Sequence, residues 1–231
     1  MNIGIIGTGN MGGALGARWS SNGHSVLFGS RDRGKAKAVA ARVARAAQAG
    51  DLDEAATFGD VVLYTVRGIF PSVLLRNPRA LAGKIVIDCN NTDLDGDMKP
   101  IGVDPAGPTL AEQLAADVPD THIVKAFSSV PHRIIELDRE TIAPYRISVL
   151  LCSDDLTAKA TVKGLAEELG FVGIDCGPLK RSRVVDGATD FLRFQIGGMG
   201  LGPYAALSLN MVGGAGPAHS LSSPPSSSSS S

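Results

Sequence analysis

Three glycines within six residues, placed directly after a short apolar run, constrain this chain more than any other feature. Residues 1–6 are apolar and rich in β-branched side chains, and residues 7–12 read Gly-Thr-Gly-Asn-Met-Gly. Apolar side chains then recur at helical spacing. A strand, a glycine turn and a helix in this order predict the first half of a βαβ unit with a dinucleotide site. Gly7 would permit the tight turn, Gly9 the approach of a pyrophosphate, and Gly12 close packing of helix on strand.

The end of the second predicted strand, residues 25–28, indicates which dinucleotide binds. An NAD site is expected to carry an acidic residue here, against the ribose hydroxyls, but this strand end carries Ser30 and Arg31. Arg31 can make a bidentate contact with a 2′-phosphate, Ser30 can donate to it, and Lys35 adds a charge one turn later. Asp32, which could face the ribose, fits better as the N-cap of the next helix. The sequence therefore predicts NADP.

Strands and helices alternate along the rest of the chain, which predicts an α/β fold of the Rossmann type, a doubly wound parallel sheet with a small C-terminal helical unit. Further strands are predicted at residues 60–66, 85–88, 121–125, 145–151 and 171–174. Helices are predicted at residues 33–48, 69–81 (broken or ended by Pro78), 155–169, 178–199 and 204–211, and one begins at Thr109 with a capping box.

The domain boundaries follow from shifts in composition. We expect an NADP-binding Rossmann domain at residues 1–176 and a small C-terminal helical domain at residues 177–212. Residues 213–231 are rich in Ser, Pro and Gly and should form a disordered tail. Residues 91–108, rich in Asp, Gly and Pro, are expected to form a surface loop without regular structure.

Composition excludes several classes of partner. With 231 residues, 44% of them hydrophobic, and a formal net charge of −1, the chain shows no sign of a nucleic-acid or membrane partner. Cys89, Cys152 and Cys176 lack disulfide or zinc spacing, so we expect free, buried thiols, no metal site and a reducing compartment. The first residues do not read as a signal peptide, and no stretch is long enough for a membrane helix, so we expect a cytoplasmic protein.

In a doubly wound sheet the ligand binds outside the carboxyl ends of the strands. The predicted ends are residues 7–12, 30–31, 66–70, 89–92 and 126–131. We expect the nicotinamide to reach toward the last three. Asn90 and Asn91 either bind its carboxamide or only form an Asx-type turn, and both interpretations remain open.

The sequence shows no complete acid–base pair near this crevice. His132 is either a general acid or, more in keeping with its loop position, a surface residue. Lys125, near a strand end, keeps a dehydrogenase alternative open, although a structural or phosphate-side charge fits it better. We therefore predict no catalytic side chain. A hydride passing directly between two planar cofactors only requires the reacting carbons to be held about 3–3.5 Å apart.

Four segments together resemble the coenzyme F420-dependent NADP reductases (reduced-F420:NADP oxidoreductases) and their NADP-binding relatives, over residues 1–211. The resembling segments are residues 7–10 with 29–31 and Lys35, residues 124–131, residues 177–179 with 182–183, and residues 198–200. The resemblance implies a small C-terminal helical unit and a homodimer. It also implies direct hydride transfer between NADP(H) and the deazaflavin coenzyme F420.

The resemblance also assigns roles to residues. Thr8, Ser30, Arg31 and Lys35 would hold the 2′-phosphate, and the deazaflavin would stack on the nicotinamide near Val130, Pro131 and residues 198–200. With the residues identified above, the candidate cofactor-binding set is Gly7, Thr8, Gly9, Asn10, Met11, Gly12, Ser30, Arg31, Lys35, Thr65, Val66, Arg67, Asn90, Asn91, Ala126, Val130, Pro131 and Met199.

Two departures from the family pattern leave the acceptor open. Arg67 stands where Pro or an apolar residue is expected, and Asn90 and Asn91 are polar for neighbours of a deazaflavin. One alternative is an NADPH-dependent reductase of another small acceptor, such as a flavin, a ferric chelate, a carbonyl or an imine. Another is a non-catalytic module that senses NADPH.

Replacement of Arg31 by alanine tests the preference for NADP. Hydrogen bonds to charged groups contribute about 1.5–3 kcal/mol each, so losing two would weaken NADPH binding by roughly a hundredfold, at about 1.4 kcal/mol per tenfold. NADH, which lacks the 2′-phosphate, should bind Arg31→Ala almost unchanged. Titrations of both nucleotides measure this difference, and equal losses would contradict the assignment.

Overall fold

We describe the protein from a computed structural model, in which residues 1–43, 47–102 and 104–211 are described. The strands are β1 (Asn2–Ile6), β2 (Ser25–Gly29), β3 (Gln48–Gly50), β4 (Val61–Tyr64), β5 (Ile85–Asp88), β6 (Asp93–Leu94), β7 (Pro100–Ile101), β8 (His122–Lys125), β9 (Ser148–Leu151) and β10 (Val172–Asp175). The α-helices are α1 (Asn10–Ser21), α2 (Arg33–Ala40), α3 (Leu52–Phe58), α4 (Pro71–Leu74), α5 (Leu110–Asp117), α6 (His132–Ile135), α7 (Arg139–Ile142), α8 (Leu156–Glu168) and α9 (Ser182–Arg193).

The central sheet confirms the predicted Rossmann fold. Six parallel strands lie in the order β3-β2-β1-β4-β5-β8. The order reverses between β1 and β4, and ligands of open α/β sheets bind at such a switch point. The strands β9 and β10 form a separate parallel pair, which one antiparallel bridge between Lys125 and Cys152 connects to the end of β8.

Apolar layers cover both faces of the sheet. Trp19 of α1 is fully buried on one face, where its ring meets Phe127 edge-on at 5.8 Å and its Nε1 donates to the Leu165 carbonyl at 3.3 Å. This contact joins α1, α8 and the segment after β8, and so fixes the chain that follows the last strand of the sheet.

Two predicted helices are shorter than the sequence suggests. The helix expected at residues 33–48 ends at Ala40, and Gln48–Gly50 forms the edge strand β3 against β2, so pairing to the sheet prevails over helix propensity there. The helix expected at residues 69–81 is one turn, α4, followed by a 3₁₀ turn at Pro78–Leu81. Proline at each start fits a first turn but cannot continue a helix.

The structure also differs from the predictions for the loop at residues 91–108 and for the C-terminal segment. The loop at residues 91–108 contains the short antiparallel pair β6–β7. The helix expected at residues 204–211 does not form. Instead, this segment forms hydrogen bonds with Ser148, the first residue of β9. The Leu207 carbonyl accepts from Ser148 N at 2.8 Å, and Leu209 N donates to Ser148 Oγ at 2.9 Å. The predicted tail, residues 213–231, lies outside the described residues.

Helix starts follow the sequence closely. Thr109 caps α5 in a capping box with Glu112, as predicted, and Asp155 caps α8 through Ala158 N at 2.8 Å. The C-terminal helix α9 begins at Ser182 after a 3₁₀ turn and continues into a π-helical turn at Phe194–Gly198. None of the helices in the described ranges has the length and apolar character needed to cross a bilayer.

Candidate dinucleotide and acceptor site

The glycine turn after β1 has the geometry that the sequence predicts. Gly7 lies at φ +109° and donates its N–H to the Gly29 carbonyl at 3.0 Å. A Cβ on Gly12 would come within 2.3 Å of the Gly7 carbonyl oxygen, so only glycine lets α1 pack this close. A Cβ on Gly9 would meet nothing within 4 Å, which leaves open space in front of the turn.

The N-terminus of α1 borders this open space. Gly9 is the N-cap and has no side chain that could occupy the free N–H groups, and the first turn contains no acidic residue. Unpaired N–H groups and the positive end of the helix dipole favour an anion at this position. The turn therefore fits a pyrophosphate group.

The predicted 2′-phosphate pocket lies at the carboxyl end of β2. Ser30 is nearly buried, and its Oγ accepts from Asp32 N at 3.2 Å, which leaves the hydroxyl hydrogen available for donation. Asp32 is the N-cap of α2, as predicted, and accepts from Gly34 N at 2.8 Å and Lys35 N at 3.3 Å. Arg31 and Lys35 are exposed and form no ion pair within the described part of the chain. Both cations therefore remain available for a phosphate.

Two adjoining cavities continue the crevice past the switch point. The first has a volume of about 310 Å³ and the second about 200 Å³. They share the lining residues Met11, Cys89, Asn91, His132 and Arg193. The first also touches Gly9, Asn10, Thr65, Arg67 and Asn90, and the second Ser128, Ser129, Val130, Pro131, Thr189, Leu192 and Ile196.

Three buried polar atoms near the second cavity have no hydrogen-bond partner among the described residues. They are Asn91 Oδ1, Ser128 Oγ and Ser129 Oγ. Asn91 itself is held in place, because its Nδ2 donates to the Ser128 carbonyl at 3.0 Å. Unpaired buried polar atoms cost stability unless a ligand or water satisfies them. An acceptor and two hydroxyls suit a group with both N–H and C=O, such as a carboxamide.

The segment that carries these serines is conformationally strained. Phe127 adopts φ +61°, the left-handed region that non-glycine residues rarely occupy, and its side chain is fully buried against Trp19. Such conformations cost about 1–3 kcal/mol and persist where packing imposes them. Here the packing of Phe127 turns the chain so that Ser128 and Ser129 follow directly at the cavity wall.

Lys125 does not face the cavities but is the centre of a buried ion cluster. Its side chain has no exposed surface, and its Nζ lies 3.4 Å from Asp88 Oδ2 and 3.1 Å from Asp186 Oδ1 of α9. The same Nζ donates to the Asn90 carbonyl. Burial lowers the pKa of Lys125, but the two carboxylates outweigh it and raise that pKa, whereas burial raises the pKa of Asp186.

Asn90 has a structural role in addition to lining the first cavity. Its Nδ2 donates to the Tyr64 carbonyl at 3.1 Å and to Asp88 Oδ1 at 3.0 Å. Asn90 N also donates to Asp88 Oδ1 at 3.0 Å, so the Asx turn here is formed by the side chain of Asp88 and not by that of Asn90. These contacts fix the end of β5 beside the end of β4.

Of the three predicted site residues that follow β4, two line the first cavity and one does not. Thr65 and Arg67 line the first cavity, although Thr65 Oγ1 also donates to the Ile6 carbonyl at 3.0 Å and Arg67 pairs with Asp93. Val66 lines a separate small cavity with Tyr64 and Phe70 instead.

Two further predicted residues lie away from both cavities. Ala126 is fully buried, and its N–H donates to the Asp88 carbonyl at 3.0 Å. Met199 lies 63% exposed beyond the π-helical turn. Val130 and Pro131, by contrast, line the second cavity.

Sequence reasoning missed Arg193 and Asp186 of α9. Arg193 lines both cavities, and its Nη1 donates to the Thr92 carbonyl at 2.8 Å and lies 3.3 Å from Asp190 Oδ1. A signal was present, because Asp186, Thr189 and Arg193 recur at i, i+3 and i+7 and so share one helix face. The helix was predicted from the spacing of its apolar residues, and the shared face of these polar residues was therefore not recognised.

Comparisons with known proteins identify relatives of this chain. The family model described as "NADP oxidoreductase coenzyme F420-dependent" matches residues 2–92. The F420-dependent NADP reductase of Methanothermobacter marburgensis is 30% identical over 207 residues, covering 83% of this chain and 91% of that protein.

Two more comparisons extend the similarity. Metalloreductase STEAP3 of Rattus norvegicus is 30% identical over 184 residues, covering 80% of this chain but only 35% of that protein. A solved structure from Arthrobacter sp. FB24, provisionally assigned as an F420-dependent NADP reductase, superposes with a TM-score of 0.71 at 22% identity. The superposition covers 87% of this chain and 96% of that one.

The strand order, the glycine turn and these similarities define an NADP-dependent oxidoreductase with a Rossmann fold. Within that class, the chain belongs to the family of F420-dependent NADP reductases. Family membership argues for an enzyme and against the non-catalytic sensor.

The buried cluster around Lys125 predicts a stability effect. Lys125→Met leaves the buried Asp88 and the partly buried Asp186 without their cation, and breaking a buried pair in this way costs about 3–5 kcal/mol in the free energy of unfolding. Lys163→Met is the matched control, because Lys163 meets Glu167 at 3.6 Å on the exposed face of α8. The control should lose less than about 1 kcal/mol. Urea denaturation compares the two variants, and equal losses would show that the cluster does not stabilise the fold.

Proposed function

We propose that the protein transfers a hydride directly between NADP(H) and a deazaflavin coenzyme of the F420 type. The observation that carries this proposal is the pair of adjoining cavities at the end of the crevice, which share five lining residues. The first adjoins the pyrophosphate turn and suits the nicotinamide end of NADP. The second lies beside it under α9 and suits a planar acceptor.

The walls of the second cavity support a stacked aromatic acceptor. Val130 and Pro131 line one side, and Leu192 and Ile196 from α9 and the π-helical turn also line it. Apolar side chains of this kind exclude water and hold a flat ring by packing. Asn91 lines both cavities and would bind the nicotinamide carboxamide between them, so fixing which ring face is presented, and Ser128 and Ser129 would donate to polar atoms of the acceptor.

The assignment of residues to NADP follows the same line. Thr8, Ser30, Arg31 and Lys35 would hold the 2′-phosphate, and the N-terminus of α1 would hold the pyrophosphate. NADPH, when bound, would supply a hydride from its nicotinamide C4, and NADP⁺ would accept one there in the reverse direction. The protein's own contribution is to hold the two reacting carbons about 3–3.5 Å apart and to exclude water from them.

The state of Lys125 supports a reaction without a catalytic acid. A lysine that donates a proton to a carbonyl must reach it, but Lys125 is fully buried and paired with Asp88 and Asp186. Direct transfer to a deazaflavin does not require such a donor from the protein at the carbon that receives the hydride.

One observation favours a second candidate function. His132 is half-buried and lines both cavities, where a histidine can serve as a general acid. This placement suits an NADPH-dependent reductase of a carbonyl or imine. Similarity to a metalloreductase keeps a flavin or ferric acceptor within the same candidate class.

We also propose that residues 177–212, helical over α9 and the π-helical turn that follows it, form a C-terminal unit that mediates a homodimer. Val184, Phe191 and Phe194 are 58%, 57% and 42% exposed along α9 and the turn that follows it. A second copy would cover this apolar face. Sedimentation of the wild type should therefore give twice the chain mass, and Phe191→Asp should shift the equilibrium toward monomer. A monomeric wild type at assay concentrations would contradict the dimer.

An anaerobic assay of NADPH with oxidised coenzyme F420 tests the acceptor. We expect the deazaflavin absorbance to bleach with NADPH and to remain with NADH, because only NADPH carries the group that Ser30 and Arg31 would bind. Free flavin is the control for a non-specific acceptor. Tight NADPH binding without bleaching would retain the dinucleotide site and exclude the deazaflavin.

The variant His132→Gln separates the two candidate functions in the same assay. Direct transfer to F420 should keep a kcat within a few-fold of the wild type. Loss of a general acid typically lowers kcat by about 10²–10⁴-fold. A loss of that size with a carbonyl or imine substrate, and none with F420, would favour the second candidate.

A further inference from the structure

Cys152 and Cys176 lie opposite each other where the strands β9 and β10 end. The parallel register pairs Leu151 with Asp175, so the next residue on each strand is a cysteine. The ladder continues at this point, because Cys176 N donates to the Leu151 carbonyl at 2.8 Å. Neighbouring strands lie about 4.8 Å apart. That spacing falls within the Cα separation of about 4.4–6.8 Å that a disulfide spans.

The two thiols differ in exposure and in acidity. Cys152 is fully buried, whereas Cys176 is partly exposed. A hydrogen bond from Cys152 lowers the pKa of Cys176 to about 7, and that contact together with burial raises the pKa of Cys152. Asp175 and Lys159, which pair at 2.8 Å, are the charged groups facing Cys176 and act in opposite directions on its pKa. Cys176 is thus the reactive partner and Cys152 the sheltered one.

We propose that Cys152 and Cys176 form a reversible dithiol–disulfide site that a hydroperoxide oxidises. The Cys176 thiolate attacks a peroxide oxygen, the O–O bond breaks, and a sulfenic acid forms as hydroxide or alkoxide leaves. The Cys152 thiol then attacks that sulfur. The S–S bond forms, the sulfenic oxygen leaves as water with the Cys152 proton, and the two sulfurs together supply the two electrons that reduce the peroxide.

The position of the pair connects it with the cofactor cavities. Cys176 precedes Gly177, whose carbonyl accepts from Lys159 Nζ at 3.0 Å, and the chain then turns into α9. On the other strand, the backbone of Cys152 pairs with that of Lys125 at 2.9 and 3.1 Å. A covalent bond between these strands would restrain α9, which lines the acceptor cavity. This effect on turnover depends on the proposed function, but formation of the disulfide does not.

Thiol counting and intact mass on the full chain test the site. After treatment with hydrogen peroxide, titratable thiols under denaturing conditions should fall from three to one per chain. The mass should fall by two hydrogen atoms, and dithiothreitol should restore both values. Peptide mapping should link Cys152 to Cys176 and leave Cys89 free. Burial raises the pKa of Cys89 to about 12, so it should not react.

Two single variants identify the roles of the two sulfurs. Cys176→Ser should abolish both the disulfide and the reaction with peroxide. Cys152→Ser keeps a hydroxyl that can donate to Cys176 but cannot form a disulfide, so Cys176 should still react with peroxide, and a sulfenic-acid reagent such as dimedone should then label it. The alkylation rate of Cys176 by iodoacetamide should rise as the pH passes through about 7, because the thiolate is the nucleophile.

Different results would overturn the proposal. Oxygen atoms added to wild-type Cys176 without a link to Cys152 would show that the sulfurs cannot reach each other. A link through Cys89 would place the reaction elsewhere. A further readout is the KM for the acceptor, which should change on oxidation and recover on reduction while NADPH binding stays constant. If F420 is not the acceptor, the mass and thiol counts still decide the disulfide.

Discussion

The close approach of α1 to the sheet is the constraint on which the dinucleotide site depends. A Cβ on Gly12 would lie 2.3 Å from the Gly7 carbonyl, and one on Gly16 would lie 2.5 Å from the Phe28 ring. Glycine at both positions brings the start of the helix directly over the end of β1. The free N–H groups and the positive helix end then meet at the switch point of the sheet, where phosphate charge is best stabilised.

The buried cluster of Lys125, Asp88 and Asp186 has the corresponding role at the other end of the crevice. It connects β5, β8 and α9 through one ammonium group, so the helix that lines the second cavity is tied to two strands of the central sheet. A buried charge left without its partner is costly, which restricts how far α9 can move. Asn90 takes part in the same network through its carbonyl, and thereby joins the cavity wall to the cluster.

The second cavity combines unpaired polar atoms with an apolar surface. Unpaired oxygens of Asn91, Ser128 and Ser129 lie at the second cavity's wall, and Val130, Leu192 and Ile196 supply its apolar surface. The strained backbone at Phe127, packed on Trp19, sets the direction in which the serines project. Positioning, rather than proton transfer by a side chain, is what such an arrangement can provide.

The sequence by itself determined the features that depend on neighbours along the chain. The glycine turn, the caps at Asp32 and Thr109, and the parallel α/β sheet indicated by βα alternation all follow from patterns along the chain, so they were predictable. The sequence likewise showed that Ser30 and Arg31 stand at the strand end where an NAD site is expected to carry an acidic residue. Family resemblance pointed to Val130 and Pro131 as neighbours of the acceptor, and in the structure both line the second cavity.

Only the tertiary structure decided the features that depend on contacts between distant segments. Lys125 and Asp186 are 61 positions apart, and their pairing became visible only when α9 packed beside β8. The edge strand at Gln48–Gly50 formed because β2 offered unpaired backbone groups, which outweighed helix propensity. Cys152 and Cys176 likewise became neighbours through strand register alone. The spacing of residues along the chain does not indicate such pairings, because burial and hydrogen-bond satisfaction depend on the whole fold.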